Sequence, residues 1–370
     1  MEVFSERGQV SRRSLLALMS LPLVGACTRT QDCPPRECGP DTADTVFVVN
    51  HSSPQEAAEA ARGKNLVFPS AETYTVKSLT IPADCHVQGN GSTLRFPDNS
   101  TTTNRQSDEI LRVTGSGVTL DGLRFDGNSA NQGPTWSQHR HCVRIHGALA
   151  DTVVRNCQFV NIIGDGVYVN VGTSSNTKIG PGNSFTAGHD NRNGVSIVTG
   201  NTVEVFRNTF THCSRSGMPG PIDIEPNSAD EHLTHIDIHD NTIRAGSTTG
   251  TGTLPGIIYA GNAAAEDIRI RNNDISGTRL TCGILAIGTD GEPLDAVTGL
   301  VISGNDIHDI GNTDKIAVKL DHPVSARVTD NTFTGMQYGI FSHRACLAAS
   351  TGNTFNDVTT NVVNDASICA

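Results

Sequence analysis

Charge is scarce in this 370-residue chain: 18% of residues are Asp, Glu, Lys or Arg, and 5% are aromatic. With 36% hydrophobic residues, so little charge excludes a disordered polymer and leaves material for a sizeable core. There is no basic run, and the formal net charge is −11, which excludes free nucleic acid as a partner. Apolar residues do not recur at the spacing of three and four that helical repeats require. No Cys-x-x-Cys pair occurs among the ten cysteines, so a zinc site of that type is excluded. The apolar run Leu15 to Ala26 is too short to span a bilayer as a stable helix.

That run is part of an address. Ser11-Arg12-Arg13-Ser14-Leu15-Leu16 resembles a twin-arginine export signal, and Leu23-Val24-Gly25-Ala26-Cys27 resembles a lipoprotein cleavage box with Cys27 as the lipidated residue. The expected organisation is an export signal over 1–27, a linker over 28–44 and one folded domain over 45–370. The expected location is the cell envelope, as a lipoprotein, or the periplasm or exterior, with membrane contact only through the lipid on Cys27. Removing residues 1–26 takes away three basic and two acidic side chains, leaving 24 − 36 = −12. Nine cysteines then follow Cys27. Cys33 and Cys38 can close a small loop, and Cys346 and Cys369 can staple the last turns. Cys142, Cys157, Cys213 and Cys282 sit in apolar patterns and read as buried thiols.

One helix is signalled: Ser53 as N-cap, Pro54 in the first turn and Glu56 completing a capping box. Beyond it, an Asn-x-[Phe/Ile] signature recurs at Asn183, Asn208, Asn241, Asn273, Asn305, Asn331 and Asn353, spaced 25, 33, 32, 32, 26 and 22 residues apart. Weaker members end at Phe125 and Phe159. Short alternating strands such as "GVYVN", "PIDIE" and "GILAI" accompany each unit. This is a stacked solenoid of short strands, with asparagines stacking coil on coil to satisfy buried turn backbone.

With these repeats the chain resembles the right-handed parallel β-helix superfamily that contains pectate lyases, polygalacturonases, alginate-modifying enzymes and phage tailspikes. The resemblance covers roughly residues 45–370. It implies an all-β right-handed parallel β-helix solenoid whose short N-terminal helix caps the open end. "GDGVYV" followed by "HDNRNGVSIVTG" is similar to coils of mannuronan epimerases, although the Asp-Pro-His triplet of those enzymes is absent.

If coils stack in register, Arg144, Tyr168, Ser196 and Asp223 fall on one outward row, and His146, Asn170, Val198 and Glu225 on the next. His141, Asp165 and Asn193 align just before, with Arg140 and Arg192 one step earlier. In later coils the rows turn apolar, at Ile258, Leu285 and Ala317 and at Ala260 and Ile287. A merely solvated face would be polar in every coil, so the local enrichment marks a candidate site. Asp223 and Glu225 are expected on the exposed face of their strand, about 7 Å apart by strand rise.

The expectation is a carbohydrate-active enzyme, a polysaccharide lyase or glycoside hydrolase, with Asp165, Asp223, Glu225, His141 and Arg192 in the chemistry. Trp136 (the sole tryptophan), Arg144, Tyr168 and Asn193 are the expected contacts to a polysaccharide. A hydrolase would use two of the carboxylates as acid and base. A lyase would use His141 or Tyr168 as base, with Arg144, Arg192 or a calcium ion between Asp223 and Glu225 neutralising a uronate. The alternative is a surface glycan-binding or adhesion β-helix without chemistry. His232, His235 and His239 are expected at the surface.

Overall fold

The computed structural model describes residues 39–365 apart from 101–107, 133–138, 188–190, 214–218, 229, 246–253, 262–264, 289–296, 312 and 322–323. The export signal, Cys27 and Trp136 lie outside the described residues. Among the described residues no helix is long and apolar enough to cross a membrane.

The chain winds as a right-handed parallel β-helix. A typical rung contributes Val153–Arg155 to one sheet, Gln158–Val160 to a second and Asp165–Asn170 to a third. The next rung pairs parallel with it on all three sides. The third sheet carries the site, and its strands lie side by side in chain order. They are β1 (Leu79–Ile81), β2 (Asp108–Val113), β3 (Arg140–His146), β4 (Asp165–Asn170), β5 (Asn193–Ile197), β6 (Ile222–Ile224), β7 (Leu254–Gly261), β8 (Leu280–Gly288), β9 (Ile316–Asp321), β10 (Tyr338–His343) and β11 (Thr360–Asn364).

The Asn-x-[Phe/Ile] signature has a physical cause. Asn241 Nδ2 donates to the carbonyl of Val205 at 2.8 Å and to Asn273 Oδ1 at 3.0 Å, while Asn241 Oδ1 accepts the backbone N–H of Asn208 at 3.1 Å. The same pattern runs on through Asn273, Asn305 and Asn331 to Asn353. Each asparagine supplies what its corner's backbone lacks, since inside the cylinder no water can. The residue before it turns the corner with positive φ, which explains Gly182, Asp240, Asn272, Gly304 and Asp330 at those positions. Cys157 holds the ladder position one rung earlier, its N–H donating to Asn183 Oδ1 at 2.9 Å, and so ends the asparagine run.

Two residues after each corner, an inward side chain stacks on its counterpart. Phe125, Phe159, Phe185 and Phe210 form a column with centroids 5.0, 4.5 and 4.6 Å apart, continued by buried Ile243, Ile275 and Ile307. Each such ring stabilises the fold by roughly 1.5–3 kcal/mol through burial alone.

Helix α1 (Pro54–Ala60) packs on β1 and the first rung. Ser53 Oγ accepts the N–H of Glu56 at 3.2 Å, while the Glu56 carboxylate reaches back to the N–H of Ser52 at 3.0 Å, one residue earlier than a standard capping box. Gln55 Oε1 accepts the N–H of Thr80 at 2.9 Å, satisfying a donor on the edge strand β1.

Cys142, Cys157, Cys213 and Cys282 are buried free thiols, as is Cys85, and Cys346 is disulfide-bonded. Burial pushes the Cys157 thiol up to about 12, which rules it out as a nucleophile near neutrality. One expectation needs correction. His239 is not a surface residue but is buried, bridging Glu204 and Asp240 at 2.8 Å each.

Candidate active site

Register puts the expected rows on adjacent rungs. Arg112, Arg144, Tyr168, Ser196 and Asp223 pair across β2 to β6 in one outward line. Asp165 opens β4 opposite Asn193 on β5, and His141 lies opposite Glu109 on β2. Farther on, the row passes Ile258 and Leu285 and reaches Lys319, not Ala317. Ala317 is fully buried instead, so the apolar stretch of this row ends one rung sooner than the sequence alignment suggests.

Arg192 is the hub. Its Nη1 lies 3.7 Å from Asp165 Oδ2, its Nη2 lies 3.7 Å from Glu225 Oε2, and its guanidinium sits 5.9 Å from the centre of the Tyr168 ring. Burial works against its charge, but Asp165, Asp223, Tyr168 and Glu225 together hold its pKa above the ordinary value. Tyr168 stacks on its other side against His141, centroids 4.3 Å apart. Burial, then the nearby Asp165, raises the Tyr168 phenol above its ordinary value, keeping it protonated.

Beneath the tyrosine, His141 Nδ1 lies 3.1 Å from Asp165 Oδ2 and 3.2 Å from the Asp165 backbone N–H. A proton on Nδ1 serves the carboxylate and a bare Nδ1 serves the amide; either way Asp165 fixes the ring. Asp223 accepts a hydrogen bond from Ser196 Oγ at 3.2 Å, and its Oδ1 has no hydrogen-bond partner among the described residues. Burial first, then Glu225 and Asp165, raise the Asp223 carboxyl well above its ordinary 3.8, against the opposing pull of Arg192. It therefore keeps a proton where an ordinary aspartate would not.

Burial divides the candidates. Asp223, expected on an exposed face, is fully buried, as are His141, Asp165, Asn193 and Ser196. Strand alternation reports the direction of a side chain and not what covers it. Asn193, expected among the substrate contacts, gives both amide hydrogens to the carbonyls of Pro219 and Gly220 and braces the next rung. The line that meets solvent is Arg112, Arg144, Tyr168 and Glu225, the last with its side chain 26% exposed, while Arg192 between them is buried.

The donor set does not fit the calcium ion expected between Asp223 and Glu225. Calcium takes six to eight oxygens. Here Arg192 occupies one face of Glu225, Ser196 holds Asp223, and no three His, Cys, Asp or Glu side chains among the described residues converge on one point. The positive charge comes from arginine.

Two residues absent from the sequence expectation belong to the site. Glu109 is fully buried with its carboxylate 2.5 Å from Arg112 Nη2 and 3.7 Å from Arg144 Nη1. The available signal was "DEILRV", whose arginine matches that of "HCVRIH" one rung later.

No family model matches this chain, and no curated protein matches it. Solved structures do. PfbA, a surface adhesin of Streptococcus pneumoniae, is 11% identical over 86% of this chain and 93% of its own, with a TM-score of 0.59. The A-module of the Azotobacter vinelandii mannuronan C-5 epimerase AlgE6 is 19% identical over 84% of this chain and 90% of its own, TM-score 0.51. The endo-xylogalacturonan hydrolase of Aspergillus tubingensis is 12% identical over 87% of this chain and 96% of its own, TM-score 0.51. At these identities the likeness is one of fold: all three share the parallel β-helix.

Proposed function

We propose that this chain is an exported carbohydrate-active enzyme, a glycoside hydrolase acting on a polysaccharide laid across β2 to β6. The observation that carries the reading is the fully buried Asp223 carboxyl group, its Oδ1 without a hydrogen-bond partner among the described residues, two residues from the partly exposed Glu225. A buried carboxyl group beside a more exposed one is the usual form of a glycosidic acid–base pair. Their i, i+2 spacing, with Asp223 in β6 and Glu225 one residue past its end, gives about 7 Å by strand rise, within the roughly 6.5–9.5 Å of inverting enzymes.

In the proposed reaction Asp223 gives its proton to the glycosidic oxygen as the bond from that oxygen to the anomeric carbon breaks. Glu225 takes a proton from the water whose oxygen bonds to that carbon from the opposite face. Arg192 fixes Glu225 and Asp165, and Tyr168, its ring held between Arg192 and His141, presents its phenol hydroxyl to a sugar. The burial of Asp223 sets a condition: substrate must displace what covers the carboxyl group. Several fold neighbours act on polysaccharides by their descriptions, including the epimerase and the hydrolase, which supports the substrate class.

The test is incubation with a panel of neutral and uronate polysaccharides, following new reducing ends and the anomer first released. Inverted reducing ends, lost in Asp223→Asn, are expected. Unsaturated-uronate absorbance would replace hydrolysis with elimination. Binding without any bond cleavage would favour the second reading, a glycan-binding or adhesion solenoid, for which the complete burial of His141, Asp165 and Asp223 speaks.

A further inference from the structure

We propose that the rungs preceding the acid–base pair form a subsite for an acidic sugar unit, with Arg112 and Arg144 receiving its carboxylate beside Tyr168. This rests on the glycan-binding reading of the same face, and it names the class of substrate.

The two arginines are register partners on β2 and β3, and Arg144 is in turn the register partner of Tyr168 on β4. Both guanidiniums turn to one carboxylate, that of Glu109, which is completely buried. Two positive charges against one negative leave this node net positive, on a chain whose overall charge is −11. Both arginines contact Glu109 as ion pairs, and Arg112 Nε is buried with no hydrogen-bond partner among the described residues. The node therefore retains an unused donor.

Arg144 Nε is anchored on Asn170 Oδ1 at 2.9 Å, which fixes the side chain in advance of any ligand. Neighbouring His146 does not add charge of its own: burial, then Arg144 and Arg112, hold it toward the neutral form. Exposure is graded, with the Arg112 side chain 32% and the Arg144 side chain 11% accessible, so a ligand meets Arg112 first. A planar carboxylate matches a guanidinium fork, and a pyranose carrying it would find the Tyr168 ring one rung away, about 4.8 Å along the stack. A neutral glycan would leave the excess charge desolvated and uncompensated.

The experiment is calorimetric titration of the intact chain with oligomers of galacturonate, mannuronate, guluronate and glucuronate. Each is paired with its carboxyl-reduced form, and a carrageenan oligomer, which carries sulfate and no carboxylate, separates sulfate from carboxylate. At least one uronate oligomer should bind about tenfold or more tighter than its reduced form, with affinity falling as NaCl rises from about 50 to 500 mM. Arg112→Gln should abolish that preference, bringing the uronate oligomer's affinity down to that of its reduced form. Glu109→Gln should tighten uronate binding, an outcome a purely structural role would not produce; it also serves if Arg112→Gln fails to fold.

Equal binding of acidic and reduced forms, binding of the sulfated oligomer alone, or no acidic oligomer bound would each overturn the subsite. If the subsite fails while neutral glycans are still cleaved, the hydrolase reading stands alone. If uronates bind by these arginines and no bond breaks, the subsite stands and the hydrolase reading falls.

Discussion

Ser196 Oγ donates to Asp223 Oδ2 at 3.2 Å across one rung of the sheet, and Oδ1 of the same carboxyl group has no hydrogen-bond partner among the described residues. This bond pulls the Asp223 pKa down, against the larger upward effects of burial and of Glu225. Removing the hydroxyl should let the carboxyl group hold its proton to higher pH. In the rate profile of Ser196→Ala the alkaline limb should therefore move up, with the acid limb unchanged. A downward move would mean Asp223 is not the proton donor.

Asp223→Asn should lower turnover by about 10²–10⁴-fold. Its effect on stability runs against the usual cost of altering a buried site. A carboxyl group with a raised folded pKa binds more protons folded than unfolded, so its contribution falls as pH rises from 3.8 toward the folded value and stays low above it. Asparagine carries no such penalty. Thermal unfolding at pH 7 should show the variant at least as stable as the parent, with melting temperature up about 2–4 °C for each kcal/mol recovered. Below pH 4 the difference should close.

Arg192→Gln should destabilise the fold by about 3 kcal/mol, because it leaves Asp165 buried without its guanidinium. Urea unfolding would measure this. Adding Asp165→Asn should recover part of the loss, so the double variant is less impaired than the sum of the two singles. Strict additivity would show that the hub and its carboxylate do not interact.

The corner ladder predicts a cost with no catalytic counterpart. Asn241→Ala would strand the N–H of Asn208 and the carbonyl of Val205, each buried, at about 1–3 kcal/mol apiece. Denaturant titration should register the loss while glycan binding by the folded fraction is unchanged.

Much of this was legible in the sequence because the repeat fixes register. Once Asn183, Asn208 and their successors are aligned, the outward row from Arg144 through Tyr168 and Ser196 to Asp223 follows, and the strand pairings agree. Alignment slipped where segment lengths changed, at Ala317, since β8 runs nine residues and the next strand joins it late. Glu109 and Arg112 escaped notice because "DEILRV" lies ahead of even the first weak member of the repeat, which ends at Phe125. Burial was not legible at all: whether an outward aspartate meets water depends on what the connecting segments cover, and no periodicity records that.

The ladder also separates two properties that most folds tie together. Segments of 22 to 33 residues all return to the same asparagine column. A connection can therefore lengthen or shorten without altering the pitch at which the next strand docks. Groove walls are thus free to diversify by exchange of whole connections, while the distance between Arg192, Glu225 and Asp223 stays set by the frame. Engineering a new glycan preference on this chain is a matter of grafting connections between fixed corners, not of redesigning the sheet.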